Sequence, residues 1–233
     1  MDAAGHGSIA GLLLCGGRSR RMGRDKALMS LAESEVAGSA VRTPLESGEA
    51  TLITRVLCAL RSVTREVLLA TSRPEPYAAL SLPSVPDAFE EIGPLGGLIA
   101  GLEALSHVET VLVVACDLPF VEGSALRALA ELAHSNPTAD VVVPSTSGGD
   151  EPLLAAYRPR VARILRKAVE ERRLRLLAPV GSLEPAALDG ACVLRVPAAS
   201  ITENAELFLN VNTPSDLDQA RGCERARGLR AQP

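Results

Sequence analysis

The sequence predicts an α/β fold: one domain built on an open, mostly parallel sheet flanked by helices. Three observations carry that reading. Near-continuous aliphatic runs of strand length recur along the chain, as expected for strands buried on both faces. Longer segments with helical period separate them, and this alternation is that of βαβ units. At 233 residues, with 47% hydrophobic and 22% charged residues and a mean hydropathy of +0.18, the chain can bury a core of ordinary size.

In chain order, the strand runs are "IAGLLLC" (Ile9 to Cys15), "EVLLATS" (Glu66 to Ser72), "TVLVVACD" (Thr110 to Asp117) and "DVVVPS" (Asp140 to Ser145). Helical periodicity covers Leu52 to Ser62, Leu95 to Leu105, Ser124 to His134 and Pro159 to Arg172. Two stretches read as irregular: Ala32 to Ala50, rich in small and polar residues, as a loop insertion, and the arginine-rich Gln219 to Pro233 as a frayed end. The domain is accordingly placed at 1–220, with a flexible tail at 221–233. In open sheets of this class, ligands sit beyond the carboxyl ends of the strands, and the polar clusters of this chain fall there.

Composition excludes several function classes. Aromatics are only 2%, there is no Trp, the net charge is -4 and the pI is about 5.5, so base-stacking platforms and a broad basic footprint are missing and nucleic acid is not an expected partner. The N-terminus carries an acid where a signal peptide has its basic region, and the apolar run before Cys15 is too short to span a bilayer; no membrane is expected and the cytoplasm is the expected location. The five cysteines (Cys15, Cys58, Cys116, Cys192, Cys223) are scattered without a CxxC pair, which argues against a disulfide framework, a zinc site or a metal carrier. His6, His107 and His134 lie outside every motif and read as surface residues.

Against that acidic background, "CGGRSRRMGRDK" (Cys15 to Lys26) gathers four arginines and a lysine around glycines directly after the first strand. Gly16 and Gly17 can turn backbone amides toward a ligand that a Cβ would hold off, which suits a phosphate. The loop is neither a Walker A loop nor GxGxxG. Arg18, Arg20, Arg21, Arg24 and Lys26 supply charge for a triphosphate, although Arg24 and Arg18 also fit a solvated helix start. Asp117, directly after a buried strand, suits Mg²⁺ as a hard oxygen ligand; a turn or helix-cap aspartate fits the same position. In "VPDAFEEIGPLGGLIAGLEAL", Asp87 and the glycines Gly93, Gly96 and Gly97 fit the edge of a base or ribose, or equally a Gly-Pro turn with packing glycines.

Taken together, "LLLCGGRSRRMGRDKAL", "VPDAFEEIGPLGGLIAGLEAL", "VVACDLPFV", "EPLLAAYRP" and "LFLNVNTPSDL" resemble the molybdenum cofactor guanylyltransferases of the MobA-like nucleotidyltransferase family, from about Ile9 to about Ala220. The resemblance implies a Rossmann-like fold and transfer of GMP from GTP to the terminal phosphate of molybdopterin, with release of pyrophosphate. It places the nucleotide at Leu14, Cys15, Gly16 and Gly17, the phosphates at Lys26, the nucleoside at Asp87, and both nucleotide and Mg²⁺ at Asp117. Lys26, Asp117 and Arg21 are the expected catalytic residues, and Glu151, Pro152, Asn210 and Asn212 are expected on the acceptor side. Asn210 and Asn212 also fit as turn or capping residues.

Two departures from the family pattern stand out. Ala70 occupies a position where relatives carry Asn, so a contact there falls to Thr71, Ser72, Arg73 or the backbone, and the 32–50 insertion has no counterpart in compact relatives. The resemblance also implies guanine over cytosine, since the cytidylyl-transferring relatives typically have Ala-Ala-Gly where this chain has Cys15-Gly16-Gly17. The alternatives are a relative that uses CTP or a sugar-phosphate acceptor, and a nucleotide-binding adaptor without catalysis. Proteins that relay the labile cofactor are possible partners.

Overall fold

A computed structural model describes residues 8–15, 25–32, 45, 50–89, 92–171 and 190–230, the side chains of 228–230 excepted. The loop residues Gly16, Gly17, Arg18, Arg20, Arg21 and Arg24, and the expected insertion apart from Ala32, Leu45 and Ala50, lie outside the described residues.

The sheet is mixed and mostly parallel in its first half. Strands β1 (Ile9–Leu14), β2 (Glu66–Ala70), β3 (Ser84–Val85) and β4 (Thr110–Ala115) run parallel in the spatial order β3-β2-β1-β4. Beyond β4 the direction reverses. Strand β7 (Leu154–Tyr157) lies antiparallel between β4 and β5 (Val141–Thr146), while β6 (Gly149–Asp150) and β8 (Val193–Pro197) both pair with β5. Strand β7 is not among the strands expected from the sequence: it is only four residues long, and "LLAAY" carries no sign of its antiparallel direction.

Each central strand serves two cores. On β1, Leu13 and Cys15 point to one face while Ala10, Leu12 and Leu14 point to the other, following the two-residue period of a strand. Helices α1 (Leu52–Arg61) and α3 (Gly123–Ser135) cover the first face; α2 (Pro94–Ala104) and α4 (Val161–Glu170) cover the second. Thr51 starts α1 by accepting the Thr54 N–H on its hydroxyl, the usual helix-capping bond. Helix α2 packs close to β1: a Cβ on Gly101 would lie 2.3 Å from the Leu12 side chain.

Residues 231–233 of the expected frayed end lie outside the described residues, and residues 219–230 belong instead to helix α5, Pro214–Arg230. Its composition is polar, but Leu217 and Ala220 are buried in a third apolar cluster with Leu31, Leu52, Phe120 and Val211. Charge pairs extend that anchorage: Arg55 holds Glu224 through two bonds, and Arg227 bonds Glu206 while stacking 4.6 Å from the Phe120 ring centre. A few buried small residues and paired arginines therefore order a segment whose average polarity suggested none. Among the described residues, no helix is long and apolar enough to cross a membrane.

Candidate active site

The spatial order places β2 on one side of β1 and β4 on the other, so the first strand stands at a topological switch point. Cys15, Thr71 and Ser72, Asp87, and Cys116 and Asp117 follow the carboxyl ends of β1, β2, β3 and β4, respectively. Neighbouring strand ends are tied together: the Cys15 N–H donates to the Ala70 carbonyl at 2.9 Å and the Cys116 N–H to the Leu14 carbonyl at 3.0 Å. The Leu14 and Cys15 side chains are buried in opposite cores, so a nucleotide contact at either falls to the main chain. All five cysteines are free thiols. Cys116 is pushed well up from an ordinary thiol by its bond to the Cys15 thiol and by burial, which keeps it protonated and inert.

Lys26 and Asp117, 91 residues apart, meet at the centre. The Lys26 ammonium donates to Asp117 Oδ2 at 2.7 Å and to Asn212 Oδ1 at 2.7 Å. Asp117 is 6% exposed, and its other oxygen, Oδ1, is buried without a hydrogen-bond partner among the described residues. A buried carboxylate oxygen is costly to leave unpaired, and this hard donor fits Mg²⁺. The residues present therefore fit the expected metal through Asp117.

Asn212 owes its place to the start of α5. The Asp216 carboxylate accepts the Asn212 and Thr213 N–H groups at 2.9 and 2.8 Å, and the Thr213 hydroxyl accepts the Asp216 N–H in return, with Pro214 at the first helical position. Burial works against the Asp216 charge, but these backbone bonds hold its carboxyl below the ordinary value. The Val211 N–H donates to the Asp117 carbonyl at 2.9 Å, which fixes the segment against the end of β4. Asn212, expected on the acceptor side, thus reaches Lys26; Asn210 is half-buried two residues earlier.

Glu151 and Pro152 stand where β6 gives way to β7. The Glu151 N–H donates to the Pro144 carbonyl at 2.8 Å, and the buried Tyr157 hydroxyl donates to the Pro152 carbonyl at 2.9 Å, which pins the turn. Burial raises the Glu151 carboxyl; Thr146 opposes the shift, and the charges of Asp117 and Asp150 add to it. Glu151 therefore feels the charge of Asp117 as well as that of its neighbour Asp150.

Asp87 lies on the β2–β3 side of the site. Burial raises its carboxyl, partly offset by a bond from Ser72, whose hydroxyl also accepts the Asp87 N–H at 3.5 Å. Gly93 has φ 63°, a backbone that favours glycine. Gly96 and Gly97 fall inside α2 and approach the protein's own loop: a Cβ on Gly96 would lie 2.5 Å from the Phe89 carbonyl oxygen, and one on Gly97 3.0 Å from Asp87 Oδ1. Packing against the Asp87 loop, rather than against a flat ligand, accounts for both of these glycines.

Two residues that sequence reasoning did not single out complete the arrangement. Asp25 caps the turn that begins at Lys26, and Tyr77 donates its hydroxyl to Asp25 at 2.7 Å. The Asp-Lys pair was visible as a motif, but a bond from a tyrosine 52 residues away leaves no local signal.

Residues 11–184 match the MobA-like NTP transferase domain family. A probable molybdenum cofactor guanylyltransferase of Pelotomaculum thermopropionicum is 32% identical over 217 residues, 91% of each chain. The molybdenum cofactor guanylyltransferase of Desulfosudis oleivorans is 25% identical over 94% of this chain and 97% of its own. In fold, the chain is similar to molybdopterin-guanine dinucleotide biosynthesis protein A of Archaeoglobus fulgidus, with a TM-score of 0.69 and 24% identity over 93% of this chain and 99% of that one. It is also similar to the 2-C-methyl-D-erythritol 4-phosphate cytidylyltransferase of Thermus thermophilus, with a TM-score of 0.59 and 18% identity over 92% and 98%.

Proposed function

The chain belongs to the MobA-like NTP transferase family, and from that premise we propose that it transfers GMP from GTP to the terminal phosphate of molybdopterin, with release of pyrophosphate. The observation that carries the reading is the Asp117 carboxylate: one oxygen holds Lys26, and the other is buried at the switch point of the sheet with no partner among the described residues. The guanine and molybdopterin specificities are supported by the activity for which the sequence relatives are named, and guanine also by the Gly16-Gly17 pair.

In the proposed reaction, an anionic acceptor phosphate oxygen attacks the α-phosphorus of GTP in line. The new P–O bond forms as the bond to the β-phosphate bridging oxygen breaks, and the electron pair leaves with pyrophosphate. Because the nucleophile is already ionised, the step needs no general base, and no histidine is required near the centre. His107 meets the arrangement only at a distance, paired with Glu66 at the amino end of β2.

The work left to the protein is positioning and charge neutralisation. Lys26 has a compact ammonium that would move from Asp117 and Asn212 onto the triphosphate, and Arg21 would join it on the leaving group. Asp117 would hold Mg²⁺, which when bound supplies Lewis-acid neutralisation of the phosphate oxygens. Glu151, Pro152, Asn210 and Asn212 would border the acceptor, and Asp87 with Ser72 the nucleoside. Relay proteins would deliver and collect the cofactor.

The test is turnover with molybdopterin and each of GTP and CTP, following pyrophosphate release and the dinucleotide product. GTP-dependent formation of the guanine dinucleotide, lost on omission of Mg²⁺ and in Asp117→Ala, is the expected result. A preference for CTP would keep the reaction type and overturn the product, whereas nucleotide binding without pyrophosphate release would make the protein an adaptor.

A further inference from the structure

We infer that Tyr77 is a positioning residue for the reaction: through Asp25, its hydroxyl fixes the turn that aims Lys26 into the site. The inference rests on the proposed role of Lys26 on the triphosphate.

Lys26 begins a turn only three residues long, Lys26–Leu28. So short a 3₁₀ turn has poor hydrogen-bond geometry and little stability of its own. Asp25 supplies what the turn lacks. Its Oδ1 accepts the Ala27 N–H at 3.1 Å and its carbonyl accepts the Leu28 N–H at 3.2 Å. The other oxygen of the capping carboxylate is not left free to swing away: Tyr77 holds it with a 2.7 Å bond to Oδ2.

The tyrosine is itself well anchored. It is 6% exposed, lies on the turn Glu75–Leu80 that follows β2, and packs in the same core as Leu13, Cys15 and Ala27. Burial, with Cys15 and Asp25 beside it, drives its hydroxyl far above the ordinary range, so it remains a donor at every working pH. A phenylalanine ring would fill the same space. The hydroxyl, which needs a partner once buried, has found the one acceptor that controls the conformation of the catalytic lysine. Lys26 is thereby held from two directions, with its backbone set by Tyr77 and Asp25 and its ammonium by Asp117 and Asn212.

The chain offers its own reporter, because Lys26 and Lys167 are its two lysines. The Lys26 side chain is 17% exposed and Lys167 68% exposed, so Lys167 serves as an internal reference. Wild type, Tyr77→Phe and Asp25→Asn would be acetylated with a limiting N-hydroxysuccinimide ester, and the Lys26 to Lys167 labelling ratio read by peptide mass spectrometry. Asp25→Asn serves as the second variant, should Tyr77→Phe fold poorly. A ratio raised roughly tenfold or more is expected in both variants, from the loss of one hydrogen bond to a charged acceptor.

In parallel, GTP affinity should fall by a similar factor in Tyr77→Phe but scarcely further when the change is made in a Lys26→Ala background. An unchanged labelling ratio, or affinity losses that add in the double variant, would overturn the inference and leave Tyr77 a packing residue. Wild type that binds no GTP would defeat the proposed function, but the labelling ratio would still decide whether Tyr77 sets Lys26.

Discussion

Truncating Lys26 to alanine tests whether Asp117 is held in the site by charge compensation. In the folded protein, the Lys26 and Asp117 side chains are 17% and 8% exposed, and the ammonium bonds one carboxylate oxygen while the other is unpartnered among the described residues. Lys26→Ala therefore strands a buried carboxylate with neither oxygen paired by a described residue. Removing one partner of a buried pair costs about 3–5 kcal/mol. Lys26 is the more exposed member, and water entering the vacated space would screen the charge, so the low end, about 3 kcal/mol, applies. For a domain of this size that corresponds to a fall in Tm of roughly 6–12 °C.

Adding Asp117→Asn removes the stranded charge, so the double variant should recover at least half of the loss. Thermal melts of wild type, both single variants and the double variant at neutral pH and low salt measure it. Activity should drop by a separate factor of roughly 10² to 10³ in Lys26→Ala, the cost of a lost transition-state cation, and stay lost in the double variant. A Lys26→Ala protein that melts within about a degree of wild type, or a double variant that melts lower than either single, would refute the charge-compensation argument.

Three further outcomes follow from the geometry. Gly96→Ala puts a Cβ 2.5 Å from the Phe89 carbonyl, so the Asp87 loop must shift; nucleotide affinity by calorimetry should weaken roughly tenfold, the effect of one displaced hydrogen-bonding group. Glu151 has a carboxyl raised by burial from its ordinary 4.5, so the folded state holds the proton more tightly than the unfolded one; the resulting penalty is absent below that value and grows as pH rises through the raised one. Glu151→Gln should accordingly melt above wild type near about pH 8 and converge with it below about pH 4, as Tm against pH would show. Tyr157→Phe leaves the buried Pro152 carbonyl without the 2.9 Å bond that pins its turn, so denaturant unfolding should show a loss of about 1–3 kcal/mol.

What could be read from the sequence was whatever local pattern controls. Continuous aliphatic runs gave the strand at Ile9–Leu14 and its partner at Thr110–Ala115, because a strand buried on both faces has little choice of residue. Asp117 and Lys26 stood out only through the motifs that carry the family resemblance, because an aspartate after a strand also fits a turn or cap; that the two side chains meet appears only in the folded chain. What escaped depends on partners far along the chain. The helix of residues 214–230 is ordered by Leu217, Ala220 and ion pairs of its Glu224 and Arg227 with the distant Arg55 and Glu206, which its composition does not advertise. The antiparallel strand Leu154–Tyr157 shares the apolar pattern of its parallel neighbours, so direction could not be inferred. Asn212 was visible as part of a motif, but its bond to Lys26 spans 186 residues and arises only once Asp216 has turned the start of the helix. Gly96 and Gly97 stayed open between two readings because small residues serve close packing and ligand approach alike.

The central claim is a metal-dependent guanine nucleotide site built on Asp117 and Lys26. Calorimetric titration of the protein with GTP, CTP and ATP, each with and without Mg²⁺ and repeated with Asp117→Ala, tests it most directly. The account predicts GTP binding that is selective, requires Mg²⁺ and disappears in the variant. Binding of equal strength for all three nucleotides, or GTP affinity indifferent to Mg²⁺ and to Asp117→Ala, would contradict it.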